Sequence, residues 1–163
     1  IFADILWAIL LVMFQVIVLN RIIILDKYTP VLYPIFILFY PFFRNRYVFL
    51  ALSFILGLAV DINLGTWGIN ALACTTIAFF RTIIFRTSTD TTTDFFSFQS
   101  LQWSQFIIFI IFSIFIHQLI VQYLEFFKLS RFFEIFLNVL ATTGISFIFI
   151  ILFAIAFKIK EKV

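Results

Sequence analysis

The chain has 163 residues, 64% hydrophobic and 12% charged, with a mean hydropathy of +1.20. Soluble domains carry roughly 25% charged residues, so this composition excludes a water-soluble globule and points to a membrane protein. One Cys and one His exclude a Cys/His metal cage and a disulfide framework within one chain, and the cations behind the net charge of +3 sit at span ends, where they set topology and offer no nucleic-acid surface.

In chain order, apolar residues run unbroken through six stretches, which favours helices over barrel strands of alternating polarity. The expected architecture is an all-α integral membrane protein. It is one transmembrane domain over 1–163, with helices at about 5–25, 28–43, 46–62, 66–85, 105–127 and 132–157. Because the chain begins at Ile1, a native start upstream is expected; the first stretch lacks the basic flank and cleavage site of a secretory signal.

The first stretch carries Gln15 and Asn20. The second and third are short of the roughly 20 residues that cross a bilayer as a helix. They read as full helices borrowing Tyr28, Thr29, Asp61 and Ile62 at their ends; two half-depth re-entrant segments are the alternative, and these would strand Arg44 and Arg46 in lipid. Pro30, Pro34 and Pro41 fall on the second, where Pro34 is expected to kink the helix or delay its start.

The fourth stretch holds Asn70, Thr75 and Thr76. A polar run, 87–94, reads as a loop or a flexible linker, and Phe95, Phe96, Phe98, Leu101 and Trp103 after it suit a short interfacial turn. On the fifth, Ser113 and His117 are four apart, as are Gln118 and Gln122; on the sixth, Asn138, Thr142 and Ser146 form a stripe beside Ala141 and Gly144. Polar stripes in apolar helices are expected to face other helices, and small residues permit close backbone approach. The 27 Phe read as lipid-facing and packing filler.

His117 reads as a hydrogen-bonded packing residue, with a proton relay as the sharper alternative. Cys74 lies in an apolar helix that disfavours a thiolate. With no Gly-rich phosphate loop and no carboxylate pair at helical spacing in the apolar region, neither an enzyme nor a cofactor is expected.

Residues 57–73 differ from the rest, holding three of the four Gly and a carboxylate at a span end. They read as a helix ending near Asp61, a turn through Gly65 and Gly68, and a new helix whose free N–H groups near Asn70 suit that carboxylate. Gly57, Asp61, Gly68 and Ala71 resemble the pattern of the bacterial rod shape-determining MreD family. Residues 15–20 with Tyr28, Thr29, Pro30 and Tyr33 look like its Bacteroidota branch, and Ala78 to Arg81 matches the basic end of the fourth span. The segment 86–105 is longer than the family's, and Thr82 stands where Pro is usual.

The resemblance implies a non-enzymatic inner-membrane subunit of the cell-elongation machinery. It would bind the bitopic protein MreC and, through it, MreB filaments and the peptidoglycan synthase RodA with its transpeptidase. It also implies likeness to the six-helix substrate-binding subunits of energy-coupling-factor vitamin transporters, which makes a small-solute-binding subunit the alternative. Expected residues are a structural hairpin of Gly57, Asp61, Gly65, Gly68 and Asn70, and a helix-packing surface for the partner among Gln15, Asn20, Asn138, Ala141, Thr142 and Ser146. Seven cations (Arg44, Arg46, Arg81, Arg86, Lys158, Lys160 and Lys162) share a side with both termini against four (Arg21, Lys27, Lys128 and Arg131), so both termini are expected in the cytoplasm.

Overall fold

Residues 2–41, 45–86, 102–126 and 131–157 are described by a computed structural model. The Thr-rich run, the aromatic strip before Trp103, the tail from Lys158, and Arg44 and Lys128 lie outside these residues. Within them the chain is helical: α1 (Phe2–Ile17), a short 3-10 turn (Leu19–Arg21), α2 (Ile35–Phe39), α3 (Arg46–Leu64), α4 (Ile69–Arg86), α5 (Trp103–Phe126) and α6 (Phe132–Ala156). Four helices, those beginning at Phe2, Arg46, Trp103 and Phe132, are long and apolar enough to cross a membrane. Large apolar side chains such as Ile9, Ile55, Ile108 and Leu152 stand exposed around them, a surface suited to lipid. Trp67 is exposed at one end of the bundle and Tyr47 and Trp103 at the other, as interfacial aromatics are.

α3 and α4 form an antiparallel pair with the most extensive contact, followed by α5 with α6 and α4 with α5. Trp7, early in α1, meets Phe153, late in α6, with ring centroids 6.1 Å apart, so both ends of the described chain lie at the same end of the bundle.

The helix expected over 28–43 is not there. Leu25 and Asp26 turn the chain with positive φ, residues 29–32 are non-helical, and only the five residues of α2 are α-helical. The prolines explain this: Pro30 and Pro34 lack the N–H groups a helix needs, and each biases the residue before it toward extended backbone. The segment still connects the two ends of the bundle, because Tyr28 bonds Asn138 near the start of α6 while Tyr40 bonds Asp4 near the start of α1. An extended residue advances roughly 3.3 Å against 1.5 Å in a helix, so a stretch too short to span as a helix spans by starting extended.

This broken span is the centre of the molecule. Leu32, Tyr33 and every residue from Ile35 to Tyr40 are buried. Tyr33, Phe36, Ile37 and Tyr40 join one apolar cluster, with Leu11, Phe49, Leu56 and Ile77; Leu32, Ile35, Leu38 and Phe39 join another, with Phe85, Phe106, Ile110 and Ile150. The near-continuous apolar run 31–40 is what a segment enclosed on all sides requires.

Candidate functional site: a polar cavity above a capped hairpin

The site begins at the turn between α3 and α4. Gly65 ends α3 in the left-handed conformation, at φ 71°, and its N–H and that of Thr66 both donate to the Asp61 carbonyl. Gly68, at φ 82°, precedes α4 and has no side chain to cap it. Asp61 supplies the cap from the facing helix: Oδ1 accepts from the Asn70 N–H at 3.0 Å and Oδ2 from the Ala71 N–H at 2.8 Å. Thr66 Oγ1 and Asn70 Nδ2 also donate to Oδ1, at 2.5 and 3.0 Å. A buried carboxylate is thus neutralised by a helix start and four hydrogen-bond donors, with no cation among these partners. These donors lie in the first turn of α4, at Asn70 and Ala71, and in the turn before it, at Thr66.

Gly57, one turn before Asp61, lets the two helices touch backbone to backbone. A Cβ placed there would lie 2.5 Å from Ala71 Cα and from the Asn70 carbonyl oxygen. The hairpin thus uses Gly57 for the steric contact with Ala71, Gly65 and Gly68 for the positive-φ turn, and Asp61, Asn70 and Ala71 for the helix cap.

From Asp61 a line of buried side chains runs inward. Asn70 Nδ2 donates to Asp61 and to Thr66 Oγ1, which turns Asn70 Oδ1 toward Tyr33; the Tyr33 hydroxyl donates to it at 2.6 Å and lies 2.9 Å from His117 Nε2. A hydroxyl has one proton. With that proton committed to Asn70, a neutral His117 must donate from Nε2, leaving Nδ1 as a bare acceptor.

Beside this line lies a cavity of about 470 Å³. Its wall includes Gln15, Asn20, Tyr28, Tyr33, Asn70, His117, Gln118, Gln122, Asn138 and Thr142, together with Lys27 and Glu125. Gln122 Nε2 donates to Thr142 Oγ1 at 3.2 Å. His117 Nδ1 and Gln118 Nε2 are buried without a hydrogen-bond partner. The other half of the bundle is closed by the cluster of Phe39, Phe85, Phe106 and Phe109.

The residues expected to form a partner surface are largely turned inward. Gln15 grips the broken span, donating to the Pro30 carbonyl at 2.9 Å and to Asn20 Oδ1 at 3.0 Å, and accepting from the Leu32 N–H at 2.7 Å. Ser146 is fully buried and accepts from the Val31 N–H at 3.0 Å; Thr142 is buried at the cavity wall. Asn20 and Asn138 are half-buried on that wall, and Ala141 alone of the six is neither buried nor part of it. The physical reason is that non-helical backbone at membrane depth needs partners, and these polar side chains provide them. Arg81, counted among the cations at span ends, is also buried: it donates to the Tyr40 carbonyl at the far end of the broken span and packs over the Phe49 ring, 4.9 Å to its centroid.

Tyr33 acquires a role that its sequence context signalled only weakly, as a phenol beside Pro34 in an otherwise apolar stretch; Thr66 had no distinguishing signal at all. Comparison with protein-family models, with curated proteins and with solved structures returns no match to this chain.

Proposed function

We propose that the chain is an MreD-like subunit of the bacterial cell-elongation complex. It would reside in the inner membrane with both termini cytoplasmic, bind MreC, and through it help couple MreB filaments to peptidoglycan synthesis by RodA and its transpeptidase. The observation that carries this reading is the hairpin: of the positions on which the resemblance rests, Gly57, Asp61 and Ala71 converge on one buried contact and one helix cap, and Gly68 takes the positive φ that leads into α4. A motif matched by chance has no reason to be used at every position. The role is that of a non-enzymatic scaffold, acting through contacts in the bilayer.

With Gln15, Thr142 and Ser146 committed to the interior, the partner's transmembrane helix would pack on the outward side of α6, where Ala141 is half-buried and Gly144 is exposed with open space around it. The test is affinity purification with co-expressed MreC. Retention of MreC on the native chain, reduced by Ala141→Leu with Gly144→Leu, is the expected outcome; a well-folded native chain that retains no MreC sinks the proposal.

The polar cavity favours a second reading, a small-solute-binding subunit like those of energy-coupling-factor transporters, since ligand pockets of this kind commonly measure about 300–1,000 Å³. That reading requires the chain to co-purify with an ATP-hydrolysing transport module instead of MreC.

A further inference from the structure

Trp67, in the turn between α3 and α4, is 98% exposed, more than any other large apolar side chain among the described residues, and Ile62 and Leu64 stand exposed beside it. No charged residue lies between Asp61 and Arg81, and Asp61 itself is committed to the helix cap. The α5–α6 connection at the same end is different: α6 opens with Arg131 and Glu134, and Lys27, which shares the cavity wall with Leu64 and Thr66, reaches Glu134 at 3.9 Å. In water, an uncharged tip built on a bare indole would be poorly solvated.

Helix length fixes the depth of this tip. α3 runs for 19 residues from Arg46, an exposed cation that with Tyr47 marks the opposite membrane boundary. At 1.5 Å per residue it reaches about 28 Å, against a hydrocarbon core of roughly 30 Å and a bilayer of about 40–45 Å with its headgroups. Tilt only shortens the reach. The turn after Leu64 therefore stops where the acyl chains meet the headgroups. α5 and α6, with 24 and 25 residues, reach about 36–38 Å, so their charged end can emerge where the α3–α4 end does not. On α3, Ile55, Leu58 and Ile62 form an exposed stripe at helical spacing that leads up to Trp67, so the tip continues the lipid-facing side.

We infer that the α3–α4 turn is seated in the headgroup layer of the leaflet opposite the termini, with Trp67 as an anchor held by lipid and not by a protein partner or a second copy. An indole suits this layer, because its ring is apolar and its N–H donates to headgroup oxygens. The seat also gives the Asp61 cap its reason: at the edge of the hydrocarbon water does not serve the first N–H groups of α4, so the facing helix must. Small water-borne molecules enter the headgroup layer and a folded domain does not, so partners meet this hairpin from the side, within the bilayer. The inference rests on helix length, charge and exposure, and stands with either functional reading.

The test uses the full chain in phosphatidylcholine vesicles whose acyl chains carry bromine either next to the headgroup or near the chain ends. The emission of Trp67 is read as the difference between the native chain and Trp67→Phe, a change at a side chain too exposed to disturb packing. Trp67 is expected to lose most of its emission to bromines next to the headgroup and much less to those near the chain ends. Ile62→Trp in the Trp67→Phe background puts an indole deeper on the same stripe, at a position 75% exposed, and should shift the balance toward the chain-end bromines. Quenching of Trp67 by aqueous acrylamide and by neither lipid places the turn in water and overturns the inference. Quenching by none of the three means that protein covers the tip, and stronger quenching from the chain ends means that it lies in the hydrocarbon; either result overturns it too, as does an Ile62→Trp indole that reads shallower than Trp67. MreC retention is a separate readout, so failure here is distinct from failure of the proposed function.

Discussion

Asp61 illustrates how one side chain can hold two helices and orient a proton network. Asp61→Ala leaves the Asn70 and Ala71 N–H groups unpaired at a buried helix start, a loss of about 1–3 kcal/mol for each such donor. The expected outcome is a lower unfolding midpoint and lower yield of monodisperse protein by fluorescence-detected size exclusion. Normal folding combined with lost cell-shape activity would instead make Asp61 a directly functional group. Tyr33→Phe should cost about 1–3 kcal/mol too, since it orphans both Asn70 Oδ1 and His117 Nε2. Combined with Asp61→Ala, its effect should fall below the sum of the two single changes, because both variants disrupt one connected network. Strict additivity in thermal unfolding would mean that the line from Asp61 to His117 is not coupled.

The broken second span and the α3–α4 pair are the two elements that depend most on their neighbours. Backbone groups at Pro30, Val31 and Leu32 are satisfied by Gln15 and Ser146. Gln15→Leu should therefore destabilise more than Ser146→Ala, as it removes partners from two backbone groups while Ser146→Ala removes one. The order of unfolding midpoints of the two variants checks this. Gly57→Ala forces a methyl into Ala71 Cα and the Asn70 carbonyl, and overpacking of this kind costs about 1–3 kcal/mol. Gly144→Ala meets open space and should be neutral or slightly stabilising, which makes it the matched control. Equal behaviour of the two variants would mean that α3 and α4 do not touch at Gly57.

For the molecule as a whole, removing buried Arg81 from the topological count changes seven against four to six against four, and the positive-inside expectation keeps its sign. Asn63 and Asn45 are both exposed at opposite ends of α3, and the native Cys74 is buried. With an impermeant thiol reagent on intact spheroplasts, Asn63→Cys should label from outside and Asn45→Cys only after permeabilisation. The reverse pattern would invert the proposed orientation and put the cavity beside Asn20 and Lys27 on the cytoplasmic side.

Hydropathy and spacing were enough to mark the membrane character, the approximate positions of five of the helices and the turn at Gly65 to Gly68, because lipid-exposed helices are specified by unbroken apolar runs and turns by local backbone preference. The stripes on α5 and α6 likewise marked Ser113, His117, Gln118, Gln122, Thr142 and Ser146 as facing other helices, without deciding whether those of α6 face the bundle or a partner. Their partners were another matter. That Gln15 and Ser146 serve the backbone of the broken span, that Arg81 turns inward to the Tyr40 carbonyl, and that Asp61, Asn70, Tyr33 and His117 form one line all depend on residues up to 115 positions apart. Such contacts have no local signature. Pro30, Pro34 and Pro41 announced that the second span would be irregular, but only the surrounding helices decide whether irregular backbone can remain at membrane depth, since they alone can supply the hydrogen bonds that lipid lacks.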